Sequence, residues 1–183
     1  MDLRDLVAAL LLYGVFPLWL LAGLGDYVSH RMTVIAQTSG TAESALHAVQ
    51  FLLLAAGVGL GLLCEITTLV LLAMTALVAL HTIAGFWDVA YTYGKREIGP
   101  FEQHVHSYLE TLPLVALALV ALLYWDQAAA LFGGEPDFGL HRRVDPLPER
   151  SVFVVLAGLG VTALAIGEEL HRTRKFAKIL AAA

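Results

Sequence analysis

Cysteine is nearly missing: Cys64 stands alone in 183 residues. That count excludes an intrachain disulfide, every Cys-x-x-Cys metal or redox motif, and the Cys-x-x-Cys-His attachment of a c-type haem. Charge is scarce as well, at 15% of residues where soluble domains carry roughly 25%. What charge there is runs acidic, 16 Asp and Glu against 11 Lys and Arg for a net of −5. The basic face that nucleic acid requires is therefore lacking. No Gly-x-Gly-x-x-Gly fingerprint marks a dinucleotide cofactor, and there is no internal repeat or low-complexity tract. A metal site in this chain has to be made from His, Asp and Glu.

Apolar sequence is what the chain has in abundance. It is 58% hydrophobic with a mean hydropathy of +0.74. Crossing a hydrocarbon core of about 30 Å takes about 20 apolar residues in a helix, and suitable stretches lie near 6–25, 46–64, 66–87, 111–132 and 151–167. The expected fold is a single all-α integral membrane domain over residues 1–183, with about five transmembrane helices. The first stretch resembles a signal peptide only superficially: "MDLRD" lacks a net positive charge and "LAGLGD" is a poor cleavage site.

Basic residues bias loops toward the cytoplasm. Arg31, Lys95, Arg96, Arg172, Arg174, Lys175 and Lys178 fall on one side, and Arg4, Arg142, Arg143 and Arg150 on the other. This bias predicts a cytoplasmic C-terminus in a bacterial-type plasma membrane. The stretch 133–150, rich in Pro and Gly, reads as the longest external loop.

The ionisable residues are not scattered over this topology. Helix 1 ends with Asp26 and His30, four apart; helix 2 opens with Glu43 and His47, also four apart. Helix 3 ends with His81 and Asp88, and helix 4 opens with Glu102, His106 and Glu110 at steps of four. Such spacings place each set on one helix face. Antiparallel helices bring four sets to one membrane level only when they alternate between the end and the start of successive helices, and that alternation is present. Individually, several have ordinary readings: Glu43 as a first-turn cap, Glu102 in the first turn after Pro100, Asp26, His30 and Asp88 as interfacial residues. His81 lies about 10 Å deeper than Asp88 at 1.5 Å per residue, where ionisable groups are functional by default.

Together these nine residues are the predicted metal ligands, four imidazoles and five carboxylates, too many for one ion of four ligands. They suit two transition-metal ions, which would also offset the carboxylate charge. His104 points away from the stripe of Glu102 and His106, and Glu168 and His171 lie near the same level in a basic juxtamembrane segment. Gly85 would admit a close helix neighbour. Pro113 frees the Leu109 carbonyl from its helical bond.

Inward Glu and His within a helix bundle resemble the ligand logic of the di-iron carboxylate proteins, although their Glu-x-x-His motif is absent. The placement is also similar to the membrane desaturases and hydroxylases, which hold two metals at cytoplasmic helix ends. The resemblance implies four helices around a di-metal centre, iron foremost, with zinc or manganese as alternatives. It further implies an oxidoreductase acting on a lipid, quinol or other hydrophobic substrate beside the bilayer, with a separate electron donor. Two other classes use similar ligands: a zinc-dependent membrane lipid hydrolase, and a metal-ion transporter or sensor.

Overall fold

The computed structural model describes residues 2–183. Five helices among them are long and apolar enough to cross a membrane: α1 (Leu3–Met32), α2 (Gly40–Leu63), α3 (Thr68–Thr92), α4 (Pro100–Leu123) and α5 (Glu149–Ala181). The described residues contain no β-strand beyond one isolated bridge. Burial is inverted relative to a water-soluble protein. Asp26, His30, Glu43, His81, Asp88, Glu102 and Glu169 are buried, while Leu21, Phe86, Phe153 and Leu164 stand on the outside. A bundle that exposes hydrocarbon and hides its charges is built for an apolar medium.

Local chemistry sets the helix ends. Asp2 and Asp5 form a capping box at the start of α1, satisfying N–H groups that have no intrahelical acceptor. Pro17 cannot donate to the carbonyl one turn before it, and α1 widens over Leu11–Val15 into π-helical turns, Phe16 N–H bonding to the Leu11 carbonyl. Thr67 caps α3. Pro100 opens α4 from the first helical turn, where its missing N–H costs no bond.

Two helices differ in extent from the apolar stretches that mark them. The fourth helix begins at Pro100, taking in the polar turns of Glu102, His106 and Glu110 ahead of the apolar stretch at 111, and stops at Leu123, so the apolar residues beyond it fold as a short helix, Trp125–Ala129, and a 3-10 turn, Ala130–Phe132. Hydropathy registers hydrocarbon and therefore misses polar helical turns that are buried against other polar turns. For the same reason α5 does not stop near 167 but continues to Ala181, which makes Glu168 and Glu169 part of its packed length.

The helices close a ring. α1 packs against α4 and α5, α2 against α3 and α5, and α3 against α4. At the end of the ring opposite the polar stripes, Ile66, Val70, Leu71 and Met74 form an apolar cluster with Leu117, Val120 and Tyr124 around it. There the 133–148 segment is stitched onto the α2–α3 turn: Glu65 N–H donates to the His141 carbonyl at 2.9 Å and Arg143 N–H to the Leu63 carbonyl at 2.9 Å. Between α1 and α2, Val34 takes the left-handed conformation (φ 51°), unusual for a β-branched residue, and the tight reversal brings Ile35 to 0% exposure.

Candidate metal centre

The last turns of α1 and α3, the first turns of α2 and α4 and the Glu169 level of α5 meet at one end of the ring. His30 on α1 is the hub, with no exposed surface. Its Nε2 lies 3.3 Å from Glu102 Oε1, 3.5 Å from Asp26 Oδ1 and 3.6 Å from Glu43 Oε1, yet forms no hydrogen bond. Its Nδ1 donates to Glu169 Oε2 at 2.9 Å. His106 Nε2 reaches Asp26 Oδ1 at 2.9 Å and stands 3.9 Å from Glu102 Oε1.

These distances have the scale of a ligand shell. Ligand atoms about 2.1 Å from an ion are about 3.0 Å apart at right angles and about 3.4 Å apart at the tetrahedral angle. Asp26, His30, Glu102 and His106 each offer one ligand atom within 4.8 Å of the others, and so do His30, Glu43 and His47. Both groups contain His30. One imidazole nitrogen binds one ion, and the other nitrogen of His30 is taken by Glu169.

The remaining sequence candidates occupy other positions. Asp88 accepts from His47 Nε2 at 2.9 Å, while its Oδ1 is buried without a partner. His81 falls outside both ligand groups because its ring is held by backbone: Nδ1 is 3.2 Å from the Gln50 carbonyl and Nε2 3.3 Å from the Leu109 carbonyl. The latter is the carbonyl that Pro113 releases, so a helix irregularity in α4 is filled by an imidazole from α3. Glu110 lies two turns below Glu102, against Gly85 of α3, where a Cβ would overlap its carboxylate. It continues the stripe in sequence but leaves the cluster in space. His104 is exposed, as its register requires.

Two contributors lay outside the nine. Glu169 sits on α5, 2% exposed, and bridges two imidazoles, Oε1 lying 3.2 Å from His47 Nδ1 and Oε2 on His30. The two rings stack at 4.6 Å and 7°. The other is Arg96, from the α3–α4 loop, which forks two carboxylates. It donates Nη1–H to Glu102 Oε2 at 2.9 Å, Nε–H to Glu43 Oε2 at 3.3 Å, and Nη2–H to both residues. Burial works against its charge, but the bonds to Glu102 and Glu43 outweigh that, and the guanidinium pKa is raised above its ordinary value. Its side chain is only 3% exposed. Arg96 is thus a fixed cation among buried acids, and a planar fork is the donor geometry suited to two carboxylates. Ser39 also donates to Glu43.

Neighbouring polar residues are accounted for on the surface. Glu168 pairs with Tyr27, Arg31 and Arg172 at the rim, and Tyr91 donates to the Ser39 carbonyl.

Comparison with protein-family models, with characterised proteins and with solved structures finds no match, so the cluster is interpreted from its own geometry.

Proposed function

We propose that the chain is a membrane-embedded, metal-dependent oxidoreductase that acts on a lipid, quinol or other hydrophobic substrate. Its ion is held by Asp26, His30, Glu102 and His106. One observation supports this most directly: the buried Nε2 of His30 has no hydrogen bond and is surrounded by three carboxylate oxygens at 3.3 to 3.6 Å. None of these contacts makes a hydrogen bond, and their spacing fits the edges of a coordination shell. Two imidazoles with carboxylates and no thiolate favour iron, with manganese or zinc next. Iron held there would supply one-electron steps toward an oxidant such as dioxygen.

The chain's own residues prepare the site. Glu169 holds the proton on His30 Nδ1, which turns the Nε2 lone pair toward the carboxylates. Arg96 fixes the Glu102 carboxylate by donating to both of its oxygens. The pair of ions suggested by the ligand count requires more than the tetrad provides, because the second group shares His30 and Arg96 bonds Glu43 as well as Glu102. A second ion would need Arg96 to withdraw and would draw on Glu43, His47 and Asp88. The excess of basic residues in the loops at this end supports a cytoplasmic orientation, from which a separate electron donor would reach it.

The test is elemental analysis of protein purified without added metal, with absorption spectra. Four ligands make about one ion per chain the expected content, and iron the expected element. His106→Ala should lose most of it, whereas exposed His104→Ala should keep it. A second equivalent would establish the pair. Zinc alone, with turnover of lipid amides or esters, would turn the reading to a hydrolase. Folded wild-type protein that neither carries nor takes up metal would end it.

A further inference from the structure

Directly below the cluster lies a partly open cavity of about 70 Å³. All five helices contribute to its wall, but α1 and α5 contribute most of it. Trp19, Leu20, Leu24, Phe51, Leu109 and Ile166 make the wall largely apolar, and Asp26, His47 and Glu169 of the cluster close one end. One water needs about 10–15 Å³ in this measure, so there is room for several small groups in line. Among the lining groups, Gln50 Nε2 and Trp19 Nε1 are buried without a hydrogen-bond partner.

We propose that this cavity receives the terminal carbons of one unbranched hydrocarbon chain, drawn from the membrane between α1 and α5. Three observations select that occupant. The cavity lies at the depth of the hydrophobic spans, where acyl and similar chains are the available solute. The seam between α1 and α5 is lined by small side chains, Gly23 facing Thr162, with Ala165 one turn further along. The carboxylates at the closed end oppose an anionic headgroup, so a chain enters with its apolar terminus first. Such a pocket, apolar with a few polar groups converging at one end, is the usual form of a small-molecule site. The inference rests on the metal-centre reading only for what happens to the chain end. Binding itself needs no ion.

The probe is a saturated fatty acid with a diazirine at its terminal carbon, photolysed with the full chain in detergent and mapped by peptide mass spectrometry. Adducts are expected on Trp19, Phe51 or Ile166 and should be competed by unlabelled palmitate. The nearest atom to a Cβ at Gly23 is the Thr162 methyl, at 4.0 Å, so Gly23→Leu fills the seam and should lower this labelling by about tenfold, the loss expected when apolar burial of a chain segment is denied. Gly160→Leu, on the open outer face of α5, should leave it unchanged and serves as the folding control. Ala165→Phe provides a second filled seam. Labelling confined to outward residues such as Leu21 and Phe153, or labelling of the cavity wall that persists in both filled variants, overturns the proposal. His106→Ala separates the two readings: cavity labelling retained in that variant keeps the chain site whether or not the wild type holds metal.

Discussion

The residue that governs the geometry here is Glu169, because a single carboxylate orients two stacked imidazoles. Its two oxygens take the Nδ1 protons of His30 and His47, leaving each ring's Nε2 to face the carboxylates. A glutamine offers one acceptor and one amide donor, so it can serve only one of the rings. Glu169→Gln should weaken metal affinity by about 10–100-fold, the usual cost of losing a ligand's outer partner, as read by competition with a coloured chelator. Glu168→Gln, whose side chain lies at the rim, should stay close to wild type. Equal losses in both variants would show a general effect of charge near the membrane rather than orientation of the rings.

At the level of elements, the α3–α4 contact depends on the absence of one side chain. Gly85 lets Glu110 lie flat against α3. Gly85→Ala should lower stability by about 1–3 kcal/mol through overpacking, and adding Glu110→Ala should recover part of that. A coupling of about 0.5 kcal/mol or more in the double-mutant cycle, measured by unfolding in detergent, is the expected sign of direct contact. Strictly additive losses would remove that contact from the account. These helices also show what the sequence disclosed and what it withheld. Periodicity located the polar faces of α1, α2 and the start of α4, because spacing alone fixes which residues share a face. It could not tell that Glu110 and His81 would be taken up by a glycine and by two carbonyls, since those partners lie on other helices. Glu169 was hidden differently: its helix ends in a basic segment that looks solvated, and only packing turns one acid inward and leaves its neighbour outside. Arg96 contributed to the loop charge without any sign that it would fold back over Glu43 and Glu102.

For the whole molecule, the balance of buried charge is the main constraint. Asp26, Glu43, Asp88, Glu102 and Glu169 are all buried, and Arg96 with one divalent ion would offset three of their five charges, leaving the rest to imidazole hydrogen bonds. Metal should therefore hold the ring together as well as equip it. A ligand that binds only the folded state adds about 2.7 kcal/mol at a hundred times its dissociation constant. Chelation should accordingly lower the thermal midpoint of wild-type protein and leave that of His106→Ala nearly where it was. An identical fall in both would place the chelator's effect elsewhere.

The ring also has a sequence of construction. Its fifth helix leaves the ribosome after the other four, and until that helix docks, His30 and His47 lack the carboxylate that holds their rings. α1 to α4 can be inserted with Arg96 already over Glu43 and Glu102, which keeps the nascent acids covered. On the proposed metal reading, loading would follow the docking of the fifth helix.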